Sequence, residues 1–178
     1  RCDAAQAAEV RRLALWMRPS STAVLRGVWH AAGVLADCLL PEQSAQTLSR
    51  SFAPKAHGSW WLQLATAAAP AICALFSSVA ALLGGAGQAN YSAANSMLDA
   101  LATERRRCAQ AAASVQWGPW GEVGMAAGGA VNARLQASGW SLITPAQGLT
   151  ALRAAIALGS PAVTAMMLVA WTRMLSGG

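Results

Sequence analysis

Lysine and tyrosine are almost missing from this chain. One of each occurs in 178 residues, Lys55 and Tyr91, and the formal positive charge elsewhere is all arginine. Charged residues make up 11% against 55% hydrophobic ones, which excludes a disordered segment and implies a sheet covered on both faces. No CxxC pair and no Cys/His ligand spacing occurs, so no metal site is expected. Cys2, Cys38, Cys73 and Cys108 have unlike neighbours and read as reduced, mostly buried thiols of a cytoplasmic protein. The apolar run 67–76 contains Pro70 and is too short to span a bilayer, so no membrane span is expected. Neither a signal peptide nor an initiator methionine stands at Arg1, which suggests a piece of a longer polypeptide. The formal net charge is +6. Its one cluster, Arg105, Arg106 and Arg107, closes a predicted helix, where solvated cations complement the helix dipole. A nucleic-acid partner is not expected from it.

What remains is one domain's worth of alternating elements. Helix is predicted over 4–17, strand over 24–30, and mostly helix over 42–64 with a break at Pro54. A strand over 71–76 ends at Ser77 and Ser78; a loop with Gly84, Gly85 and Gly87 leads to a long helix over 89–108. Strand 114–117, a glycine-rich loop over 121–129, helix 146–158 and strand 162–169 complete the pattern. Such alternation implies a parallel sheet with helices on both faces. Ligands of such sheets bind beyond the carboxyl ends of the strands. Three of those ends hold His30 to Gly33, Ser77 with Ser78, and Trp117 to Trp120.

Tyr91 and Asn95 are four apart on one helix and share a face. A tyrosine hydroxyl and the Ser78 hydroxyl from a neighbouring strand end can point at one carbonyl oxygen. That is what reduction of a ketone requires: hydride reaches carbon while a proton meets the developing alkoxide. An ammonium group such as Lys55 beside the phenol would favour phenolate and poise Tyr91 as an acid.

Four strings carry a resemblance: GVWHAAGVLADCLL, APKAHGSWWLQ, ALFSSVAALLGGAGQANYSAANSMLDALA and SVQWGPWGEVGMA. In this order and spacing, over residues 26–126, they resemble the catalytic half of a ketoreductase domain of modular polyketide synthases. Those domains belong to the short-chain dehydrogenase/reductase superfamily. The resemblance implies an α/β, Rossmann-type fold and NADPH-dependent reduction of a β-ketoacyl thioester held on an acyl carrier protein. Residues 1–178 would form a single domain, the C-terminal catalytic portion of a ketoreductase, beside the rest of a multidomain synthase.

By that resemblance Tyr91 is the general acid and Ser78 binds the substrate ketone. Lys55 lowers the Tyr91 pKa and touches the nicotinamide ribose, and Asn95 completes the proton network. In common stand-alone reductases of the superfamily the lysine follows the tyrosine by four residues. Asn95 stands there in this chain and the lysine is upstream, as in the synthase type. Asp3 is expected near the adenine; His30, Ala31, Ala32 and Gly33 line the dinucleotide; Pro119 and Trp120 flank the nicotinamide. Gly121 to Met125 begin a mobile lid. His30 read on its own is a strand-end histidine, Asp37 a solvated loop acid, and Ser77 structural. For stereocontrol, Leu35-Ala36-Asp37 keeps the last aspartate of the Leu-Asp-Asp string of B-type domains. Leu83 replaces the tryptophan of A-type domains, and Ala93 is not the proline of the epimerising subgroup. These favour a B-type product with an R (D) hydroxyl.

One part of the family pattern is missing. No strand followed by GxGxxG occurs, so the turn that holds the pyrophosphate is absent, as are the basic residues that select a 2′-phosphate. The expected fold therefore lacks its first strands, and strand 24–30 becomes an open edge. The piece on its own is expected neither to bind NADPH tightly nor to turn over. Two further readings stay open: a non-catalytic remnant or structural module of a synthase, and a free-standing short-chain reductase.

Overall fold

The computed structural model describes residues 2–17, 25–66, 72–122 and 129–176. In chain order the elements are α1 (Ala7–Trp16), β1 (Gly27–His30), a 3₁₀ turn (Leu40–Glu42), α2 (Ala45–Phe52), a π-helical turn (Ala53–His57) and α3 (Gly58–Thr66). They continue with β2 (Ile72–Ser78), α4 (Ala80–Leu83), α5 (Ala89–Arg107), β3 (Ala113–Trp117), α6 (Gly129–Ala137) and β4 (Trp140–Ser141). The last are α7 (Pro145–Ala155), β5 (Val163–Met166), β6 (Leu168–Val169) and α8 (Trp171–Leu175).

The order β1-β2-β3-β5 makes a four-stranded sheet, parallel at every pair. Side chains alternate across it and so feed two cores. Cys73 and Leu75 of β2 pack with Leu98, Ala102 and Ala112 on the α5 face. Val115 and Trp117 of β3 pack with Phe76, Trp120, Ile143, Leu152 and Ala155 on the α7 face. Helices on both faces of a parallel sheet are thus borne out. Among the described residues, β1 pairs on one side only, and Trp29 on it is 49% exposed.

Several expectations are corrected. Pro54 does not break its helix. It lacks the N–H a helix needs and its ring crowds the preceding turn, and the chain widens into a π turn in which Gly58 N–H reaches the Ala53 carbonyl. The final strand is two, because Met166 ends pairing with β3 and Leu168–Val169 pairs antiparallel with β4. Helices α4, α6 and α8 and strand β4 were not anticipated. Only Cys73 of the four thiols is buried; Cys2 and Cys108 are exposed and Cys38 half-buried. Nor are the clustered arginines all solvated. Arg105 is 3% exposed, with its Nε donating to the Ala111 carbonyl and its Nη1 to Gln63. Arg106 donates to the Ala112 carbonyl and Ser160, and Arg107 alone of the three is exposed. The planar fork of donors lets a guanidinium be buried against carbonyls.

Candidate active site

Tyr91 lies in the first turn of α5, and one stripe of that helix is buried: Tyr91, Ala94, Asn95, Leu98, Ala102 and Arg105. The three- and four-residue spacing puts these on the face that meets the sheet. Gly84 and Gly87, at φ of 76° and 73°, turn the chain from α4 into α5, a conformation costly for any residue with a Cβ.

Asn95 has no exposed surface; its Nδ2 donates to the Tyr91 carbonyl at 2.8 Å, and its Oδ1 has no partner among the described residues. Ser77 Oγ donates to the Asn95 carbonyl at 3.3 Å, a structural role as expected, and ties the end of β2 to α5. Ser78, next in β2, accepts the Ala80 N–H on its Oγ at 3.2 Å.

Lys55 projects from the π turn and is 3% exposed. Its ammonium donates to the Phe76 carbonyl at 2.8 Å and lies 5.4 Å from the centroid of the Tyr91 ring, within reach of a cation–π attraction. The only lysine therefore meets the only tyrosine inside the protein. Burial lowers the Lys55 pKa to about 8, and the charge of Asp99 opposes that shift. Asp99 is held by Ser114 Oγ at 2.6 Å and Gln116 Nε2 at 2.8 Å, both from β3.

Burial raises the Tyr91 pKa; the nearby polar side chains of Asn95 and Ser78 pull it down, and the Asp37 charge adds to the rise. The expectation that Lys55 lowers it is not met here, because desolvation of the phenolate outweighs the rest. The rise favours the protonated phenol. That suits a donor.

Residues assigned to the cofactor divide. His30 is buried and its Nε2 donates to the Lys55 carbonyl at 3.2 Å, so it braces the turn that carries the lysine. Burial lowers its pKa, which favours the neutral ring. Ala31 and Ala32 are exposed and Gly33 half-buried, in the open segment after β1. Asp3 is exposed and caps its own turn, accepting the Ala5 N–H at 3.0 Å. The Trp120 ring is 5.1 Å from that of Trp117 and fills the space over Gly148, where a Cβ has no room; its face is used in the second core. Pro119 accepts the Ile143 N–H at 2.8 Å. Asp37 is exposed and accepts from Gln88 Nε2 at 3.0 Å, and Leu83 is exposed at the end of α4. Met125 lies outside the described residues.

Sequence reasoning missed Asp99 and Asn90. Asp99 is eight residues after Tyr91, two turns further along the same helix, and that spacing was the available signal.

Comparison with known proteins gives one result. The family model described as KR domain matches residues 1–122. Polyketide synthase GfsB of Streptomyces halstedii is 46% identical over 140 residues, covering 78% of this chain and 2% of that protein. The solved A-type ketoreductases from modular polyketide synthase superpose with a TM-score of 0.89 at 34% identity, covering 97% of this chain and 36% of theirs. A solved C2-type ketoreductase from a modular polyketide synthase gives 0.87 at 35% identity, covering 99% and 38%. The chain thus spans a small fraction of the synthase and under half of each solved ketoreductase.

Proposed function

This chain belongs to the KR domain family, the ketoreductase domains of polyketide synthases, and from that membership we propose that it carries the catalytic portion of an NADPH-dependent reductase of β-ketoacyl thioesters. The substrate is tethered to an acyl carrier protein and the product is the β-hydroxyacyl thioester. The observation that carries the reading is the buried Lys55 ammonium 5.4 Å from the Tyr91 ring.

Tyr91 donates the proton to the carbonyl oxygen as it becomes an alkoxide. Ser78 donates a hydrogen bond to that oxygen, adding to its stabilisation. The Lys55 cation stabilises the phenolate left on Tyr91, and Asn95 Oδ1, with no partner among the described residues, accepts the next donor in the line that restores the proton. NADPH, when bound, supplies the hydride. The residues present fit its nicotinamide end. Lys55 has three donors and one acceptor partner among the described residues, leaving donors for ribose hydroxyls. No GxGxxG turn occurs in the sequence to hold the pyrophosphate, so that end of the cofactor would need residues other than these.

The solved neighbours include A-type and C2-type enzymes, so likeness assigns no stereochemical type. Leu35-Ala36-Asp37, Leu83 and Ala93 favour the B-type and an R (D) hydroxyl. The test is NADPH oxidation by the full-length protein with a β-ketoacyl thioester mimic and with a free ketone. Turnover of the thioester with an excess of R product is expected, and residues 1–178 alone are expected to be silent. A silent full-length protein would favour the non-catalytic remnant; preference for the free ketone would favour a free-standing reductase.

A further inference from the structure

Asn90 plays no part in the tetrad, yet it is 2% exposed and every polar atom of its side chain is engaged. Its Nδ2 donates to the Ala36 carbonyl at 2.8 Å and to the Thr47 carbonyl at 3.1 Å, while its Oδ1 accepts the Tyr91 N–H at 2.7 Å. This uses the two donors and the acceptor an asparagine offers. The three partners come from three segments: the irregular chain 31–39, helix α2, and the first turn of α5. Segment 31–39 forms no helix or strand, so its position relative to Tyr91 depends on such bonds. Two others support it: Cys38 N–H to the Gly87 carbonyl at 2.9 Å, and Gln43 Nε2 to the Cys38 carbonyl at 3.0 Å. The exposed bond between Asp37 and Gln88 competes with water; the bonds of Asn90 are sheltered and hold more firmly.

We propose that Asn90 is a positioning residue that tethers the Ala36–Asp37 backbone to the Tyr91 turn and so fixes which face of the ketone the site accepts. This rests on the reductase reading above and on Asp37 guiding the acyl chain. Discrimination between the two faces is a difference between two poses in one site, so a loosened wall erodes it before it stops the chemistry.

The test uses the full-length protein carrying Asn90→Asp. Asp keeps the acceptor for Tyr91 N–H and loses both donated bonds. The expected result is an R:S product ratio about tenfold lower, the size of effect that the loss of two hydrogen bonds allows. Faster deuterium exchange over 36–40 is expected with it, while exchange in α5 beyond its first turn is unchanged. An unchanged ratio with unchanged exchange would overturn the proposal, as would exchange that rises equally throughout the domain. If Asn90→Asp does not fold, Asn90→Ser, uncharged and also unable to make both donated bonds, is judged by the same two measurements. Failure of the underlying reading is separately visible. An active Tyr91→Phe, or an Asp37→Ala with an unaltered ratio, removes the reductase or Asp37 premise, while the exchange measurement reports the tether without any turnover.

Discussion

The two faces of the sheet are held by different physics, and adjacent residues of β3 show it. Ser114 and Gln116 point to α5 and bond the Asp99 carboxylate, while Val115 and Trp117 point to α7 and enter a core of aromatic and aliphatic side chains. On the α7 face the packing is apolar: Trp117 rests 5.7 Å from Phe76 and 5.1 Å from Trp120, and its Nε1 has no partner among the described residues. The α5 face also carries an apolar cluster, Cys73 and Leu75 with Leu98 and Ala102, but beside it polar atoms are directed one by one: Ser77 to Asn95, Lys55 to Phe76, Asn90 to three backbones. Apolar packing tolerates rearrangement at fixed volume, whereas a directed buried bond is lost outright when one partner goes. The Tyr91, Lys55 and Ser78 side chains of the proposed reduction sit beside the second kind of face.

The contrast should break most visibly at Lys55. Lys55→Met in the full-length protein is expected to lower kcat at least about 100-fold with the fold intact, since the charge that stabilises phenolate is gone. Thermal unfolding and turnover measured on one preparation check both halves. A smaller effect is expected for Gln116→Leu, which leaves a half-buried Asp99 oxygen unpaired and costs about 2 kcal/mol by denaturant titration. The pH profile sharpens the comparison within the α5 face. Lys55, lowered to about 8, is charged below that pH and neutral above it, so kcat falls as pH rises through about 8. Asp99 raises that pKa, so Asp99→Asn moves the limb to lower pH, by roughly half to one unit. A limb that does not move removes Asp99 from the account. The smallest change is expected at Trp117→Phe, below about 1.5 kcal/mol, because losing a polar atom without a partner among the described residues offsets part of the cavity that the smaller ring leaves. A cost exceeding that of Gln116→Leu would reverse the distinction between the faces.

Much of this was legible beforehand. Rarity singled out Lys55 and Tyr91, helical spacing joined Asn95 to Tyr91, and short apolar runs located the ends of β1, β2 and β3. The rest depended on contacts between distant segments. The proline rule foretold a disturbance at Pro54 but not that the chain would widen and carry on. A run of three arginines does not reveal that carbonyls beyond the helix end bury the first. Asn90 looked like one more small polar residue before the tyrosine, because its partners lie 43 and 54 positions away. The Tyr91 pKa also resisted sequence reasoning: a neighbouring cation predicts a fall, and the depth of burial decides for a rise.

The most direct measurement is single-turnover NADPH oxidation with a β-ketoacyl thioester mimic by full-length wild type and Tyr91→Phe. Loss of the one hydroxyl should slow the chemical step by roughly 10²–10⁴-fold with the fold unchanged. A Tyr91→Phe protein that reduces the ketone at the wild-type rate would contradict the account.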